Sequence, residues 1–147
     1  MSQMLGNQYF LARDYARATY IFEKELQKYP KHKRMRYKII ICYTQIGEIK
    51  KALDVFISLV EDDIEFIMRT DAIADDCPSL DLVFKMEKNL SLNSRSLNFM
   101  LTLAMLCLYC DLEKSINYFS AAQQLDSENT MITYVLSLLR GYKKVRK

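Results

Sequence analysis

Two stretches of the chain carry the same residue types at one constant spacing. The first reads YFLARDYARATYIFEKELQKYP and the second reads YTQIGEIKKALDVFISLV. A small residue and an aromatic residue four positions later share one helix face, where a second helix can approach closely. The repeat therefore predicts stacked units of two helices each. The equivalent pairs are Tyr9 and Tyr43, Ala18 and Ala52, and Phe22 and Phe56.

The composition agrees with a helical chain. Only three glycines and two prolines occur among 147 residues, and half of all residues are apolar. Few helix-breaking residues favour long helices over a turn-rich sheet, and this apolar fraction suffices for one continuous core. We predict an all-α chain that forms a single domain.

The repeated residues resemble the tetratricopeptide repeat (TPR) family, whose period of about 34 residues equals the spacing of the three pairs. The first unit has that family's large apolar, small, aromatic, small, aromatic and helix-ending residues: Leu5, Gly6, Tyr9, Ala18, Phe22 and Pro30. The second unit has Ile40 in place of Gly6, but it keeps Tyr43, Ala52 and Phe56 and has Gly47 in the turn between its helices. The resemblance implies an α-solenoid of antiparallel helix pairs, a superhelix whose concave groove holds partner peptides.

A third unit is visible in LCLYCDLEKSINYFSAAQQLDSEN, where Ser115 replaces the small alanine ahead of Phe119. The interval from Phe56 to Phe119 falls short of two periods, so the segment between them departs from the pattern. We predict an irregular helix pair from about Asp62 to Leu90. The run TDAIADDCPS, residues 70–79, is its predicted loop, because Asp, Pro and Ser favour turns.

The predicted helices are 2–12, 14–28, 32–46, 48–61, 62–70, 79–90, 94–109, 112–125 and 128–145. They form units at about 1–34, 35–61, an irregular 62–92 and 93–127, followed by a capping helix at 128–147. Asp126 or Ser127 is expected to cap that last helix. Its predicted apolar face, which would cover the end of the stack, is Met131, Tyr134, Val135, Leu138 and Leu139.

The stretch KYPKHKRMRYK, residues 28–38, holds six Lys or Arg and the only histidine of the chain. One helix ends at Pro30 and the next begins near Lys33, so the charges spread around a helix and form no single stripe. Three interpretations are open: a solvated surface, a site for an acidic protein segment, or a nucleic-acid site. Residues 61–90, with nine acidic and three basic side chains, would repel phosphates.

The resemblance implies that one face of the first helix in each unit lines the groove. In this chain the groove residues are Gln3, Asn7, Phe10, Arg34, Tyr37, Lys38, Ile41 and Gln45. Arg34 and Lys38 would select acidic segments, while the aromatic and aliphatic members would supply apolar area. Some family members clamp a carboxylate with Lys and Asn side chains here. Asn7 fits that clamp, but Gln3 and Lys38 depart from it, which favours a looser groove.

The stretch LNFMLTLAMLCLYC, residues 97–110, is apolar on the face that should line the groove. It is shorter than the roughly 18 to 20 residues that span a bilayer, so it is expected to be a buried helix. Such a helix must be covered. The irregular middle or the C-terminal helix is expected to cover it. The alternative is a Met-rich groove that accepts a partner helix.

No pattern in the sequence indicates chemistry. Cys107 and Cys110 have the spacing of a metal or redox pair, but no second pair or nearby histidine completes four ligands, so both are expected in the core. Four carboxylates lack the spaced ligands and glycine turn of a calcium loop: Asp62, Asp63, Asp75 and Asp76. His32 lies among positive charges that disfavour its protonation. We predict no enzyme, no metal and no cofactor.

These observations favour a protein-interaction scaffold, acting as an adaptor, co-chaperone or assembly subunit. The four irregularly spaced cysteines, with no signal peptide ahead of them, point to a reducing cytoplasm. Its partner would be a protein segment, acidic in character. The alternative is a nucleic-acid-binding helical repeat using residues 28–38 and the basic C-terminus. A third option is a homo-oligomer in which the acidic residues 61–76 of one copy dock on the basic stretch of another.

Overall fold

The computed structural model describes residues 2–69, 71 and 77–146. Within these residues the chain forms nine helices and no strand, which confirms the all-α, TPR-like fold class. Most of the predicted loop 70–79 lies outside the described residues. The helices are α1 (Ser2–Leu11), α2 (Tyr15–Lys28), α3 (Lys33–Gln45), α4 (Ile49–Met68), α5 (Ser79–Lys88), α6 (Leu90–Asn93), α7 (Leu97–Cys107), α8 (Leu112–Leu125) and α9 (Thr130–Arg146).

The helices group into two compact units, one ending at Asp62 and one beginning at Asp63. The division falls inside α4, where Asp63 leaves the helical backbone with φ −166° and ψ 80°. The Asp63 carboxylate accepts a hydrogen bond from the Phe66 N–H at 3.3 Å and so starts a new helical segment. This break matches the predicted boundary between helices 48–61 and 62–70. That both units form a single domain stays a prediction.

In the first compact unit, which ends at Asp62, the small and aromatic residues of both repeats lie where helices meet. Ala18, Phe22, Ala52 and Phe56 are all fully buried. A Cβ atom placed on Gly6 would lie 2.7 Å from Cε1 of Phe22, which is closer than a contact can be without movement. Glycine at position 6 therefore permits the close approach of α1 and α2.

The turns after α1 and α3 occupy equivalent places in the two repeats and share one backbone geometry. Arg13 and Gly47 both have positive φ, 63° and 83°. In each turn the next residue donates its N–H to the carbonyl four positions before the turn residue, from Asp14 to Tyr9 and from Glu48 to Tyr43, both at 2.9 Å. Backbone geometry thus repeats together with the side chains, although only the second turn has the glycine that this conformation favours.

In the second compact unit, which begins at Asp63, α7 packs against α8 as the third helix-pair repeat predicts. Ser115, in place of the small alanine, is fully buried and donates its hydroxyl to the Ala104 carbonyl at 2.7 Å. The hydroxyl is therefore satisfied although it lies in the core. Phe119, the equivalent of Phe22, is also fully buried. α5 packs on α7, so the irregular middle does cover the apolar helix.

The register of the last helix differs from the prediction by one position. Asn129 caps α9, accepting hydrogen bonds from the N–H groups of Met131 at 3.0 Å and Ile132 at 3.3 Å. Tyr134 is 43% exposed. Both candidate faces are apolar in sequence at helical spacing, so only packing against α8 selects one of them. The buried set is Ile132, Val135, Leu136 and Leu139.

Glu87 of α5 holds α8 through two polar contacts. Its carboxylate accepts a hydrogen bond from the Tyr118 hydroxyl at 2.5 Å and lies 3.1 Å from the Lys114 ammonium. The Tyr118 hydrogen bond, followed by Lys114, holds the pKa of Glu87 below its ordinary value near 4.5. The negative form is thus favoured by folding.

Glu87→Gln is therefore expected to lower the free energy of unfolding by about 1 kcal/mol at pH 7. Because the folded pKa of Glu87 is depressed, its contribution is fully present above the ordinary value and is lost as pH falls through the folded one. Urea unfolding should show wild type and variant converging near pH 2–3. Glu113→Gln, which removes the more exposed pair with Lys143, is the matched control and should cost less. If Glu87→Gln lowered the free energy of unfolding equally at pH 7 and near pH 2–3, the prediction would be contradicted.

Candidate functional site

The six cations of residues 28–38 do not form one patch. Lys28, Lys31, Lys33 and Arg34 are exposed, Lys38 is half-buried and Arg36 is buried. They are divided between the end of α2, the following turn and several directions around α3. This distribution agrees with the predicted spread of charge around a helix.

Arg36 is a structural residue that sequence reasoning missed. Its Nη1 atom lies 2.9 Å from the Asp62 carboxylate and 3.2 Å from the Ser58 hydroxyl, and its Nη2 donates to the Lys31 carbonyl at 3.0 Å. Hydrogen bonding from Arg36 lowers the pKa of Asp62. Arg36 therefore links α3 to the end of the first part of α4. Arg36 lies four and seven residues before the buried Ile40 and Tyr43, and this helical spacing was the sequence signal for its burial.

His32 also has a structural position. Its Nδ1 atom accepts a hydrogen bond from the Met35 N–H at 3.2 Å, so His32 is the N-cap of α3. The cap uses the ring nitrogen that carries no proton, as a neutral imidazole can supply. The helix begins at Lys33, as predicted.

α1 and α3 bring three of the predicted groove residues together. The Lys38 ammonium donates to Oδ1 of Asn7 at 2.7 Å and lies 5.7 Å from the centre of the Phe10 ring. Asn7 and Lys38 are both half-buried, so part of each side chain still reaches the surface. We call the surface formed by Gln3, Asn7, Arg34 and Lys38 the α1–α3 face.

The remaining members of the predicted set divide by exposure. Arg34 is exposed, and Gln3 and Gln45 are half-buried. In contrast, Phe10, Tyr37 and Ile41 are 2%, 4% and 0% exposed, so they have almost no area to offer a partner. The binding role of the eight residues stays a prediction, in which these three support the helices that carry the others.

A cavity of about 720 Å³ adjoins the α1–α3 face. Gln3 and Asn7 lie on its wall, and its apolar members were not predicted. Met4, Leu11 and Tyr29 are 63%, 51% and 57% exposed. The placement of Met4 and Leu11 two turns apart on one helix face was the signal available. The other lining residues are Gln8, Glu25 and Lys28.

The cysteine and carboxylate candidates separate in space. Cys107 is fully buried as predicted, but the prediction is wrong for Cys110, which is exposed in the turn before α8. Burial raises the pKa of the Cys107 thiol. Partial desolvation, followed by the negative charge of Asp111, raises the pKa of the Cys110 thiol. Asp62 pairs with Arg36 and Asp63 caps a helical segment, while Asp75 and Asp76 lie outside the described residues. Within the described part of the chain no three His, Cys, Asp or Glu side chains gather as a metal site would require.

Comparisons with known proteins give one family match. Residues 9–63 match the family model described as tetratricopeptide repeat. This segment runs from the end of α1 to the break in α4 and covers most of the two predicted units. No curated protein matches the chain. None of the helices in residues 2–69 and 77–146 has the length and apolar character required to cross a membrane.

Proposed function

We propose that the chain is a scaffold that binds a partner segment on its α1–α3 face, because residues 9–63 match the tetratricopeptide repeat model and such repeats generally mediate protein–protein interaction. The observation that carries the proposal is the contact of Lys38 with Asn7. It joins the matching faces of the first helices of two successive units at 2.7 Å. A donor and an amide thus lie side by side at a partly exposed position, ready to bind a carboxylate.

Charge defines the class of partner. Arg34 lies one helical turn before Lys38, so two cations lie on one face of α3. A partner segment with two carboxylates about one turn apart would match them. Met4, Leu11 and Tyr29 in the adjoining cavity would supply the apolar contact that Phe10, Tyr37 and Ile41, being buried, do not.

The proposed mechanism is recognition without chemistry. Stacked helices hold the cations in fixed positions, so a partner segment meets a surface that is already organised. Such a chain would act as an adaptor, co-chaperone or assembly subunit. Four cysteines present as free thiols support a reducing, cytoplasmic setting.

A selection from a random peptide library tests the proposal. Peptides enriched on the wild-type chain are expected to combine carboxylates with apolar residues. Their affinity, measured by fluorescence polarisation, should fall about tenfold or less between 50 and 200 mM salt, because apolar contacts are not screened. A single-stranded oligonucleotide bound through several phosphates would lose roughly 10³-fold over that range. Tight oligonucleotide binding with that steep loss, and no enriched peptide, would favour the nucleic-acid alternative.

A further inference from the structure

α5 exposes two apolar side chains on successive turns. Leu80 and Phe84 are 52% and 61% exposed, whereas Val83, about 60° around the helix from Leu80 on the side away from Phe84, is 3% exposed. The Lys88 ammonium lies 4.4 Å from the centre of the Phe84 ring and covers part of it. This helix therefore has one face in the core of its unit and a second apolar surface in solvent.

The charges on that outer face are ordered along the helix. Asp81 lies in the first turn, and Lys85 and Lys88 lie in the last. All three are exposed, and within residues 2–69, 71 and 77–146 none of them has an ion-pair partner. At 100° per residue, Leu80, Phe84 and these three charges fall within an arc of about 140°. We call these five residues the α5 outer face.

We propose that the α5 outer face binds the same face of a second copy of this chain, with the two α5 helices antiparallel. Charge complementarity under a two-fold axis favours this occupant. An axis level with residues 82–83 places Leu80 opposite Phe84 of the second copy, and Asp81 opposite Lys85 of the second copy. Each contact occurs twice by symmetry. The apolar pair and the ion pair therefore form together, side by side.

Other occupants fit this face less well. Two parallel α5 helices related by a two-fold axis would place Asp81 and Lys85 of each copy opposite Leu80 and Phe84 of the other, so neither charge would meet an opposite charge. An anionic lipid surface would be repelled by Asp81 and would gain only two apolar side chains. The antiparallel pair is the arrangement in which Asp81 and Lys85 each meet an opposite charge. The contact area is small, so the association is weak and depends on concentration.

This inference is independent of the proposed function, because α5 lies in the second compact unit and the α1–α3 face lies in the first. If both hold, the pair carries two copies of the α1–α3 face and binds bivalent partners more tightly than single segments. Failure of peptide binding would leave the α5 inference untouched, and a monomeric chain would leave peptide binding untouched.

Sedimentation equilibrium on the full chain tests the pairing. The experiment includes a reductant, because exposed Cys110 could cross-link two copies. Over roughly 5 to 500 µM the mean mass of wild type is expected to rise from that of the monomer toward twice that value. Phe84→Glu should keep the monomer mass throughout. Val145→Glu adds the same charge at an 84% exposed valine of α9 and should leave the association unchanged.

A charge exchange then tests the register. Lys85→Asp places a carboxylate against Asp81 twice, and Asp81→Lys places an ammonium group against Lys85 twice. Each single variant is expected to weaken association at least tenfold. The double variant Asp81→Lys with Lys85→Asp restores both ion pairs and should return to within about threefold of wild type.

Several results would overturn the proposal. A wild type that is monomeric at every concentration would do so, and so would association that Phe84→Glu leaves unchanged. A double exchange no better than either single variant would remove the antiparallel register. Flotation with phosphatidylserine vesicles, lost in Phe84→Glu while the protein stays monomeric, would assign the face to a lipid surface instead. Circular dichroism should show equal helicity in all variants, because the changed side chains are exposed.

Discussion

The double variant Arg34→Glu with Lys38→Glu is expected to abolish capture of the acidic partner segment. Both cations would become carboxylates on the face that the partner's carboxylates must approach, and Lys38 would no longer donate to Asn7. Reversing two charges at such a face weakens binding by roughly 10² or more. The peptides enriched on wild type, assayed by fluorescence polarisation, give the measurement.

The matched control is Lys24→Glu with Lys50→Glu. These two lysines belong to the same unit but lie on α2 and α4, away from the α1–α3 face. The control changes the net charge by the same amount, so a general electrostatic effect would weaken both variants equally. Helicity should be unchanged in each. Capture that survives the Arg34 and Lys38 reversal would remove the α1–α3 face as the binding site.

The second large effect is expected at Gly6. Gly6→Ile introduces the residue that the second helix-pair repeat has at the equivalent position. That residue, Ile40, is fully buried. In the first repeat, the Cβ atom of an isoleucine at position 6 would lie 2.7 Å from Phe22 and 3.2 Å from Ile21, so α1 and α2 must separate. We expect the free energy of unfolding to fall by about 2–3 kcal/mol in urea titrations.

Gly141 provides the contrast. It lies inside α9 with no atom within 4 Å of an added Cβ, so Gly141→Ala should raise stability by about 0.5–1 kcal/mol through helix propensity alone. Opposite signs at the two glycines would show that helix contact, and not residue type, decides the effect. A neutral Gly6→Ile would mean that α1 and α2 are not held at this separation.

Much of the fold follows from local patterns. The boundaries of α2, α3 and α8 were predicted to within a position or two, and in the structure each of these helices begins next to a capping side chain, Asp14, His32 and Asp111. The irregular middle was found by counting, since the aromatic spacing fell short of two periods. The last helix was harder, because two neighbouring apolar faces compete and only α8 chooses between them.

The candidate surface shows where local patterns stop. The resemblance implied that Asn7 and Lys38 line one groove, and the structure adds their direct contact. The burial of Phe10, Tyr37 and Ile41 did not follow, nor did that of Arg36. Almost every residue of α3 between Met35 and Thr44 is buried, so its own periodicity marks no single inner face.

By itself the sequence determined the helices, the repeat and the match of residues 9–63 to the tetratricopeptide repeat model, because turns and a constant repeat period are local properties of the chain. Only the tertiary structure decided which side chains remain available to a partner. Exposure depends on which helices cover a given face, and for Arg36, Phe84 and Cys110 those neighbours come from distant parts of the chain or are absent among the described residues.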